Sequence, residues 1–516
     1  MHEKKSWSIN LNGISFSITF LLFIALSLSL SLFPTLRYRL PRLSDSWVHL
    51  LRLSRISSYG LTFDTIVYIF EHRYYPLFYI VMALLGITTP FAATLVASIN
   101  TFLIALATFF LAREATKDDK VSVIAGALLS SSNIFLLAEN VFFPEALAIL
   151  LYIIESLLII RKKYALSIIL FPLLLLSHPL ITYLFLLTTL IYALALLRTS
   201  EWRFFPFWGF YLISSLIWFY HCGTLEYALI HLPQWIWSPI ILGSLIVTFF
   251  LCVIIFLKLS SLPGKPPIDF FDNKGKIVVL LIILSGSFLY YSIYDVPSTQ
   301  YHFSLNIILF YLPNIVLGIL GLVNIRKNHD FIKSWIIGVG LSILFALFIV
   351  GPALPVSRHL GIFIPALAVS AALTYRKNKA EKILILLLLV FLVITAYPPP
   401  DYVFGFDVQY YPQEYEALEW LSKQPMKPII TDLRMRAMAE YVTGFPAYAM
   451  KIPDPNKPPP VDCYLVITRS MILYGAEYEW WMKPIKVDLQ AFLASPHYKL
   501  IYENDYVWIF TTDSTM

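Results

Sequence analysis

The sequence predicts a polytopic α-helical membrane protein with about 13 transmembrane helices and a small α/β domain at its C-terminal end. Three observations predict this fold class. Of the 516 residues, 58% are hydrophobic and 14% are charged, and the mean hydropathy is +0.72, which excludes an ordinary soluble protein. Apolar runs of membrane-spanning length recur from residue 14 to residue 397. After the proline run 398–400 the pattern changes to short helices and strands.

The apolar runs define the predicted transmembrane helices, since roughly 17 to 25 apolar residues are needed to cross a bilayer. The predicted spans are residues 14–33, 91–111, 121–138, 145–160, 164–176, 179–197, 204–220, 236–257, 277–293, 305–323, 331–350, 360–375 and 383–397. The first is interpreted as a retained helix and not as a cleaved secretory signal, because many similar runs follow it. The shorter run Pro76–Gly86 has polar flanks and is predicted to lie at the membrane interface.

The positions of lysine and arginine predict the orientation of the chain. When the loops are placed alternately inside and outside, with the N-terminus inside, most basic residues fall on the inner side. They are Arg113, Lys117, Lys120, Arg161, Lys162, Lys163, Arg198, Arg203, Lys258, Lys265, Lys274, Lys276, Arg326, Lys327, Lys333, Arg376, Lys377, Lys379 and Lys382. The short outer loops contain essentially one basic residue, Arg358. The sequence therefore predicts a multi-pass plasma-membrane protein with a cytoplasmic N-terminus and with segments 34–90 and 398–516 together on the outer face.

The C-terminal segment has the pattern of a small α/β domain. Its predicted elements are a helix over 414–421, a buried strand over 427–432, a helix over 433–441, a strand over 463–468 and a hairpin around 504–505. The chain is accordingly divided into a transmembrane module, residues 1–397, which includes the outer loop, and an extracytoplasmic α/β domain, residues 398–516.

Charge and cysteine content narrow the classes of function. The formal net charge of +6 is explained by the basic inner loops, so it does not indicate a nucleic-acid partner. The cysteines, Cys222, Cys252 and Cys463, are too few and too scattered for a disulfide framework or a zinc knuckle. The sequence has no Gly-rich phosphate-binding loop, which disfavours a nucleotide-dependent enzyme.

The first candidate site is the segment SDSWVHLLR, residues 44–52. The spacing of Asp45, His49 and Arg52 places all three on one face of a helix, whereas Trp47 and Leu50 supply an apolar side. The alternative is an amphipathic helix lying on the membrane, with Asp45 acting as a cap and the arginine facing lipid headgroups.

Three further polar places fall on the same predicted outer face. Glu71 and His72 precede the run Tyr-Pro-Leu-Phe-Tyr, Glu139 and Glu145 flank the mouth of a span, and Arg358 opens another span. Charged residues at membrane ends are costly unless they are paired or functional. Their occurrence on one face favours a common site over separate coincidences.

Histidines add a candidate metal site to the outer face. His178 and His302 lie at predicted outer turns, and His49 and His72 lie in the outer loop. With the neighbouring carboxylates they could hold zinc or manganese. The alternative is that each is a hydrogen-bonded residue at a helix end, and the sequence has no His-x-x-x-His motif.

This combination of features resembles the GT-C glycosyltransferases. The features are an acid in a long first outer loop, an acid before Tyr-Pro-Leu-Phe-Tyr, an acid in the next outer loop, a C-terminal outer domain and about 13 spans. The superfamily includes protein O-mannosyltransferases, the aminoarabinose transferase of lipid A, oligosaccharyltransferases and archaeal enzymes that use dolichyl-phosphate sugars. The segments KPIITD and KLIYEND resemble those of archaeal members.

The resemblance implies a role for each candidate residue. Asp45 matches the first-loop acid that acts as base or positions the acceptor, and Glu71 matches an acid that helps to hold a metal in the aminoarabinose branch. Glu139 or Glu145 matches the second-loop acid, and Arg358 matches an arginine that binds the lipid phosphate. Arg52 is assigned a supporting role. A divalent metal, Zn, Mn or Mg, is implied only for part of the superfamily.

The implied reaction moves a sugar from a polyprenyl-phosphate donor to an acceptor hydroxyl on a glycan, lipid or protein, with inversion. Such a step needs a carboxylate to accept the hydroxyl proton and cations to stabilise the departing phosphate. Asp45 suits the first task, and Arg358 suits the second because a guanidinium binds phosphate through two hydrogen bonds. Neither the sugar nor the acceptor is specified by the sequence.

Two other functions remain open. A transporter or flippase for lipid-linked saccharides would also have many spans, but such proteins place polar residues near the membrane midplane, in broken helices. A non-enzymatic scaffold would use its outer domain to bind a partner, and Asp45→Asn would then leave its function intact. Within the superfamily, the sequence departs from the Trp-Trp-Asp signature of oligosaccharyltransferases, since Trp480-Trp481 is followed by Met482.

Overall fold

The structure, a computed structural model, describes residues 8–11, 14–42, 44–60, 62–72, 75–196, 202–223, 305–325, 328–345, 356–376, 379–397, 410–457, 462–476 and 485–512. The predicted spans 236–257 and 277–293 lie outside these described residues. The described part is mostly helical, with a small sheet in the C-terminal segment.

A short β-hairpin leads into the first helices. It consists of β1 (Ser8–Leu11) and β2 (Ile14–Ser17), which pair antiparallel and replace the beginning of the first predicted span. The helices that follow are α1 (Ile18–Tyr38), α2 (Ser44–Tyr59), α3 (Phe63–His72), α4 (Pro76–Leu84), α5 (Pro90–Thr116), α6 (Asp119–Ser131), α7 (Asn133–Glu139), α8 (Pro144–Ile160), α9 (Tyr164–Leu175), α10 (Pro179–Leu196) and α11 (Phe205–His221).

Further along the apolar part, the described residues form α12 (Leu305–Val323), α13 (Asp330–Phe345), α14 (Val356–Ala372) and α15 (Lys379–Ile394). Among the described residues, four helical segments are long and apolar enough to cross a membrane. They are Ile18–Arg37, Pro90–Thr116, Pro179–Leu196 and His359–Arg376. The chain is therefore a multi-pass helical membrane protein, and the count of about 13 spans stays a prediction.

One predicted span is broken in the structure. Residues 121–138 form two helices, because Ser132 has an extended backbone (ψ 117°) and its hydroxyl accepts the N–H of Phe135 to cap α7 (3.3 Å). The same hydroxyl donates to Asn314 Oδ1 (2.6 Å), and Asn314 Nδ2 donates to Asn133 Oδ1 (2.5 Å). These bonds satisfy polar groups in an apolar bundle, where water cannot.

The bundle has two distinct ends. At one end, Arg376 Nε pairs with Asp118 (3.1 Å) and Arg161 Nε pairs with Glu114 (3.0 Å), so three predicted inner loops meet there. At the other end, Thr35 on α1 donates to the carbonyl of Thr94, near the start of α5 (3.0 Å). Since 20 residues of α5 separate Thr94 from Glu114, these places are roughly 30 Å apart. We call them the basic end and the loop end.

The C-terminal segment forms an α/β domain, which we define as the described residues from 410 to 512. Its elements are α16 (Pro412–Leu421), β3 (Ile429–Thr431), α17 (Leu433–Thr443), β4 (Ala447–Ala449), β5 (Tyr464–Thr468), α18 (Arg469–Leu473), α19 (Leu489–Leu493), β6 (Tyr498–Glu503) and β7 (Val507–Thr512). The strand order is β4-β3-β5-β7-β6, with β3 parallel to β4 and β5, and β7 antiparallel to β5 and β6. The helices and strands predicted for this segment are confirmed.

The segment predicted as the outer loop and the α/β domain share one hydrophobic core. Trp47 and Leu50 of α2 and Phe78 of α4 belong to the same buried cluster as Leu418 and Met438 of the domain. Helix α2 therefore lies between the bundle and the domain. The predicted domain boundary after residue 397 stays a prediction, because residues 398–409 lie outside the described part of the chain.

Candidate functional site

Helix α2 carries the first candidate residues and is fixed to the bundle at its start. Its buried residues recur at helical spacing, which is why this segment folds as a helix with one covered side. The Ser46 hydroxyl accepts a hydrogen bond from the backbone N–H of Phe142 (3.2 Å). This bond ties the first turn of α2 to the segment that precedes α8.

His49 and Arg52 meet at one tyrosine hydroxyl. Tyr79 of α4 is fully buried, and its Oη lies 2.7 Å from His49 Nδ1 and accepts a hydrogen bond from Arg52 (3.2 Å). The shared partner places both side chains on the same side of α2, as their spacing predicted. It also holds the guanidinium of Arg52 in a fixed direction, because a buried hydroxyl has few other partners.

Asp45 lies in the first turn of α2 and is half-buried. Burial is the main cause that raises the pKa of the Tyr410 phenol well above its ordinary value. Arg434 opposes this shift, and the charge of Asp45 is among the smaller contributions that raise the same pKa. Asp45 therefore lies within electrostatic reach of the residue at which the described part of the domain begins.

The run Tyr-Pro-Leu-Phe-Tyr, residues 75–79, connects α2 to a second candidate residue. The ring of Tyr75 stacks on His178, with the centroids 5.1 Å apart and the planes 11° apart. The backbone N–H of Leu77 donates to the carbonyl of Leu176 (3.2 Å). The run thus joins α2 to the α9–α10 turn. Sequence reasoning used it only as a family signature and missed Tyr75 and Tyr79 as members of the site.

The segment before α8 brings a second carboxyl group to the loop end. Glu145 is buried in the first turn of α8, where the helix dipole favours a negative charge. The preceding Asn140 donates to the carbonyl of Ser31 (2.8 Å), and the ring of Phe143 lies 5.9 Å from that of His49. Glu145 follows Phe143 by two residues, so the contact between Phe143 and His49 places it near α2.

The structure places the backbone of four other candidates. Glu71 and His72 end α3, Glu139 ends α7, and Arg358 lies in the first turn of α14. Because residue 376, just beyond α14, is at the basic end, the start of α14 is at the loop end. The side chains of these four residues, and all of His302, lie outside what the structure describes.

The residues that the structure describes do not form a metal site. No group of three or more His, Cys, Asp or Glu side chains able to hold an ion occurs among them. His49 directs Nδ1 to Tyr79, and His178 is covered by Tyr75. The predicted metal site also includes Glu71, His72 and His302, whose side chains lie outside the described part of the chain, and it stays a prediction.

Tyr79→Phe is expected to destabilise the site without changing its shape. The variant removes the hydroxyl that His49 and Arg52 share, and the loss of a buried partner costs about 1 to 3 kcal/mol. The melting temperature of the detergent-solubilised protein should fall. Tyr59→Phe on the exposed end of α2 is the control and should melt like wild type. An unchanged melting temperature for Tyr79→Phe would show that the hydroxyl contributes nothing.

Sequence comparison finds no matching family model and no matching curated protein. Solved structures do match. The apo form of the oligosaccharyltransferase from Archaeoglobus fulgidus aligns over 95% of this chain and 79% of that chain, with a TM-score of 0.54 at 12% identity. The archaeal oligosaccharyltransferase AglB from the same organism, in complex with an inhibitory peptide and a dolichol-phosphate, gives 0.53 over the same shares at 12% identity. The chain has the GT-C fold.

Two further matches add detail about the neighbours. The Archaeoglobus fulgidus oligosaccharyltransferase in complex with Zn and sulfate has a TM-score of 0.53 at 13% identity, over 95% of this chain and 79% of that chain. ArnT from Cupriavidus metallidurans in the apo state covers 95% and 97% at 11% identity, but its TM-score of 0.41 adds no support. The GT-C resemblance drawn from the sequence is confirmed at the level of the fold.

Proposed function

We propose that this GT-C chain is a membrane glycosyltransferase that moves a sugar from a polyprenyl-phosphate donor to an acceptor hydroxyl, with inversion. The observation that carries the proposal is the composition of the loop end. There Asp45 and Arg52 lie on α2, and Glu145 and Arg358 lie in the first turns of α8 and α14, at the same end of an apolar bundle. A lipid-linked donor would reach this end from the bilayer.

Asp45 is the proposed base. As the acceptor oxygen attacks the anomeric carbon, its proton moves to the Asp45 carboxylate, and the bond between that carbon and the phosphate oxygen breaks. The polyprenyl phosphate leaves with the bonding electrons. Arg358 is proposed to stabilise its charge, with Arg52 in support. Glu139 or Glu145 is proposed to orient the sugar or the acceptor.

The lipid carrier and the acceptor are separate parts of the proposal. AglB was solved with a dolichol-phosphate and a peptide, and we extend the lipid phosphate to this chain as the carrier of its donor. The neighbour's oligosaccharyltransferase activity is not extended, because Met482 follows Trp480-Trp481 where that branch has an aspartate. A hydroxyl of a glycan, lipid or protein is therefore the proposed acceptor. We also propose that the loop end and the α/β domain face the outside of the plasma membrane.

The alternative of a transporter or flippase has one observation in its favour. Glu155 is buried in the second half of α8, where its carboxylate accepts a hydrogen bond from Ser167, and the Ser167 hydroxyl lies 2.7 Å from the Tyr211 hydroxyl. Transport sites place ionisable residues at such depths. The candidate residues whose positions the structure describes lie at the loop end, so transfer at the membrane surface is the better supported function.

The chemical fate of the donor separates the two functions. Purified protein in liposomes that contain polyprenyl-phosphate sugars, with and without soluble glycan acceptors, should convert the donor into free polyprenyl phosphate and glycosylated product. A flippase would move the donor between leaflets and leave it intact. Translocation of intact donor without release of polyprenyl phosphate would overturn the proposed transfer.

A further inference from the structure

We infer that the α/β domain holds the first turns of α2 through Trp47 and Tyr441 and thereby positions the Asp45 carboxylate. The inference rests on the proposed function, in which Asp45 is the base. It assigns to the domain a positioning role in the reaction, and to Trp47 and Tyr441 the role of positioning residues that do not touch the substrates.

Trp47 is enclosed by tyrosines of the domain. Its side chain is fully buried, and its ring centroid lies 5.6 Å from those of Tyr410 and Tyr441 and 6.2 Å from that of Tyr415. Large aromatic side chains dominate the energy of such contacts. Because Trp47 follows Asp45 by two residues on the same helix, its fixed position limits where the Asp45 backbone can lie.

Tyr441 extends the contact from α2 to the bundle. Its hydroxyl donates to the carbonyl of Thr88 (2.5 Å), directly before Thr89, which caps α5. Burial raises the pKa of Tyr441 to about 12, with a smaller contribution from Tyr415, so the hydroxyl keeps its proton at physiological pH. One side chain therefore contacts both the tryptophan of α2 and the loop end of the bundle.

Arg55 and Glu440 add an ion pair on the same side of α2. Arg55 lies eight residues after Trp47, about two turns along the helix, and pairs with the residue that precedes Tyr441. The side chain of Arg55 is 61% exposed, so its charge can be changed without disturbing the core. This pair offers a way to loosen the contact between α2 and α17 from outside.

The opposite side of α2 belongs to the bundle. Ser46 accepts from the N–H of Phe142, and His49 lies against Tyr79. The helix is thus fixed from two sides, and the stripe of Asp45, His49 and Arg52 lies at the seam between them. When the domain side is loosened, α2 keeps its bundle contacts but loses the restraint on its first turns.

Reversing the charges of Arg55 and Glu440, singly and together, tests the inference, because the double variant should restore what each single variant loses. Arg55→Glu and Glu440→Arg each place like charges together, and the double variant restores an opposite pair in swapped order. Each single variant should speed amide hydrogen exchange in residues 44–59 and lower kcat for transfer by about three- to tenfold. KM for the polyprenyl-phosphate sugar should stay within about twofold, because donor contacts are unchanged. The double variant should restore both exchange and kcat.

Arg436→Glu is the matched control, since it reverses an exposed charge on α17 and should leave both measurements unchanged. Tyr441→Phe keeps the ring but removes the bond to Thr88, and should also speed exchange in α2. The inference is wrong if the single variants exchange and transfer like wild type, or if the double variant fails to restore them. If wild-type protein transfers no sugar, the proposed function fails, and the exchange measurement alone decides whether the domain holds α2.

Discussion

Asp45→Asn is expected to lower the rate of sugar transfer by about 10² to 10⁴, the usual contribution of a general base. Asparagine has nearly the same size as aspartate but does not accept the proton of the acceptor hydroxyl. Asp45 is half-buried on the surface of α2, and the fully buried residues of that helix, Trp47, Leu50 and Leu53, are unchanged. The variant should therefore insert and fold normally. Initial rates in membranes with equal amounts of each protein measure the effect.

Asp64→Asn is the matched control for this substitution. Asp64 is exposed in the first turn of α3, in the same loop, and its loss should leave transfer unchanged. If Asp45→Asn transfers sugar at the wild-type rate, Asp45 is not the base, and Glu139 and Glu145 become the next carboxylates to replace. If the protein is a scaffold without enzymatic activity, Asp45→Asn and wild type should also behave alike, but neither of them should transfer sugar.

Arg434→Ala is expected to lower the free energy of unfolding of the α/β domain by about 3 to 5 kcal/mol. Arg434 donates to both oxygens of Glu414, at 2.8 and 2.9 Å, and the two side chains are 8% and 1% exposed. The guanidinium also lies over the ring of Tyr410, at 4.5 Å. Removing it leaves the Glu414 carboxylate buried without its cation, although the backbone N–H of Tyr411 still donates to Oε2 (3.0 Å). Hydrogen exchange of β3 and β5 in the full chain reports the change.

Two further variants test whether the loss of stability comes from breaking the buried pair of Glu414 and Arg434. Glu414→Leu combined with Arg434→Met replaces both charges by apolar side chains and should recover most of the lost stability. Lys457→Ala removes an exposed partner of Asp454, 3.7 Å away, and should change stability by less than about 0.5 kcal/mol. Wild-type protection of β3 and β5 in Arg434→Ala would contradict the assigned role of the buried pair.

The spacing of residues along the sequence predicted the helices and strands around the site. It did not predict how those helices and strands contact one another. The recurrence of polar residues at 45, 49 and 52 predicted a helix with one chemical stripe, because side chains three and four residues apart share a helix face. The same reasoning predicted α16, α17 and the β6–β7 hairpin. Each of these patterns is local, because it lies within about one to three helical turns or one hairpin. A short stretch of sequence is therefore enough to recognise it.

Contacts between distant segments could not be predicted in this way. Nothing in the spacing around Trp47 indicates that Tyr410, Tyr415 and Tyr441 surround it, since they lie hundreds of residues away. The break at Ser132 was missed for a similar reason, because the polar group that stabilises it, Asn314, belongs to another helix. The hydropathy of the segments around Ser132 and Asn314 shows that both are apolar, but it does not show that their polar side chains meet.

The contacts of the histidines could not be predicted from the sequence, and their role as metal ligands stays a prediction. Sequence reasoning grouped His49 and His178 as metal candidates because both fall on the predicted outer face. In the structure His49 bonds Tyr79 and His178 stacks on Tyr75, whose ring also lies 6.1 Å from that of His49. The run itself carried the missing signal, since two tyrosines four residues apart, on either side of a proline that starts a helix, can contact two neighbours at once.

The balance of products tests the proposed transfer most directly. Wild-type protein and Asp45→Asn are incubated with a polyprenyl-phosphate sugar and acceptor, and both polyprenyl phosphate and acceptor-bound sugar are quantified by mass spectrometry. The account predicts that wild type releases one polyprenyl phosphate for each sugar bound to acceptor, and that the variant forms neither at a comparable rate. Release of polyprenyl phosphate without acceptor-bound sugar, or equal product formation by both proteins, would contradict it.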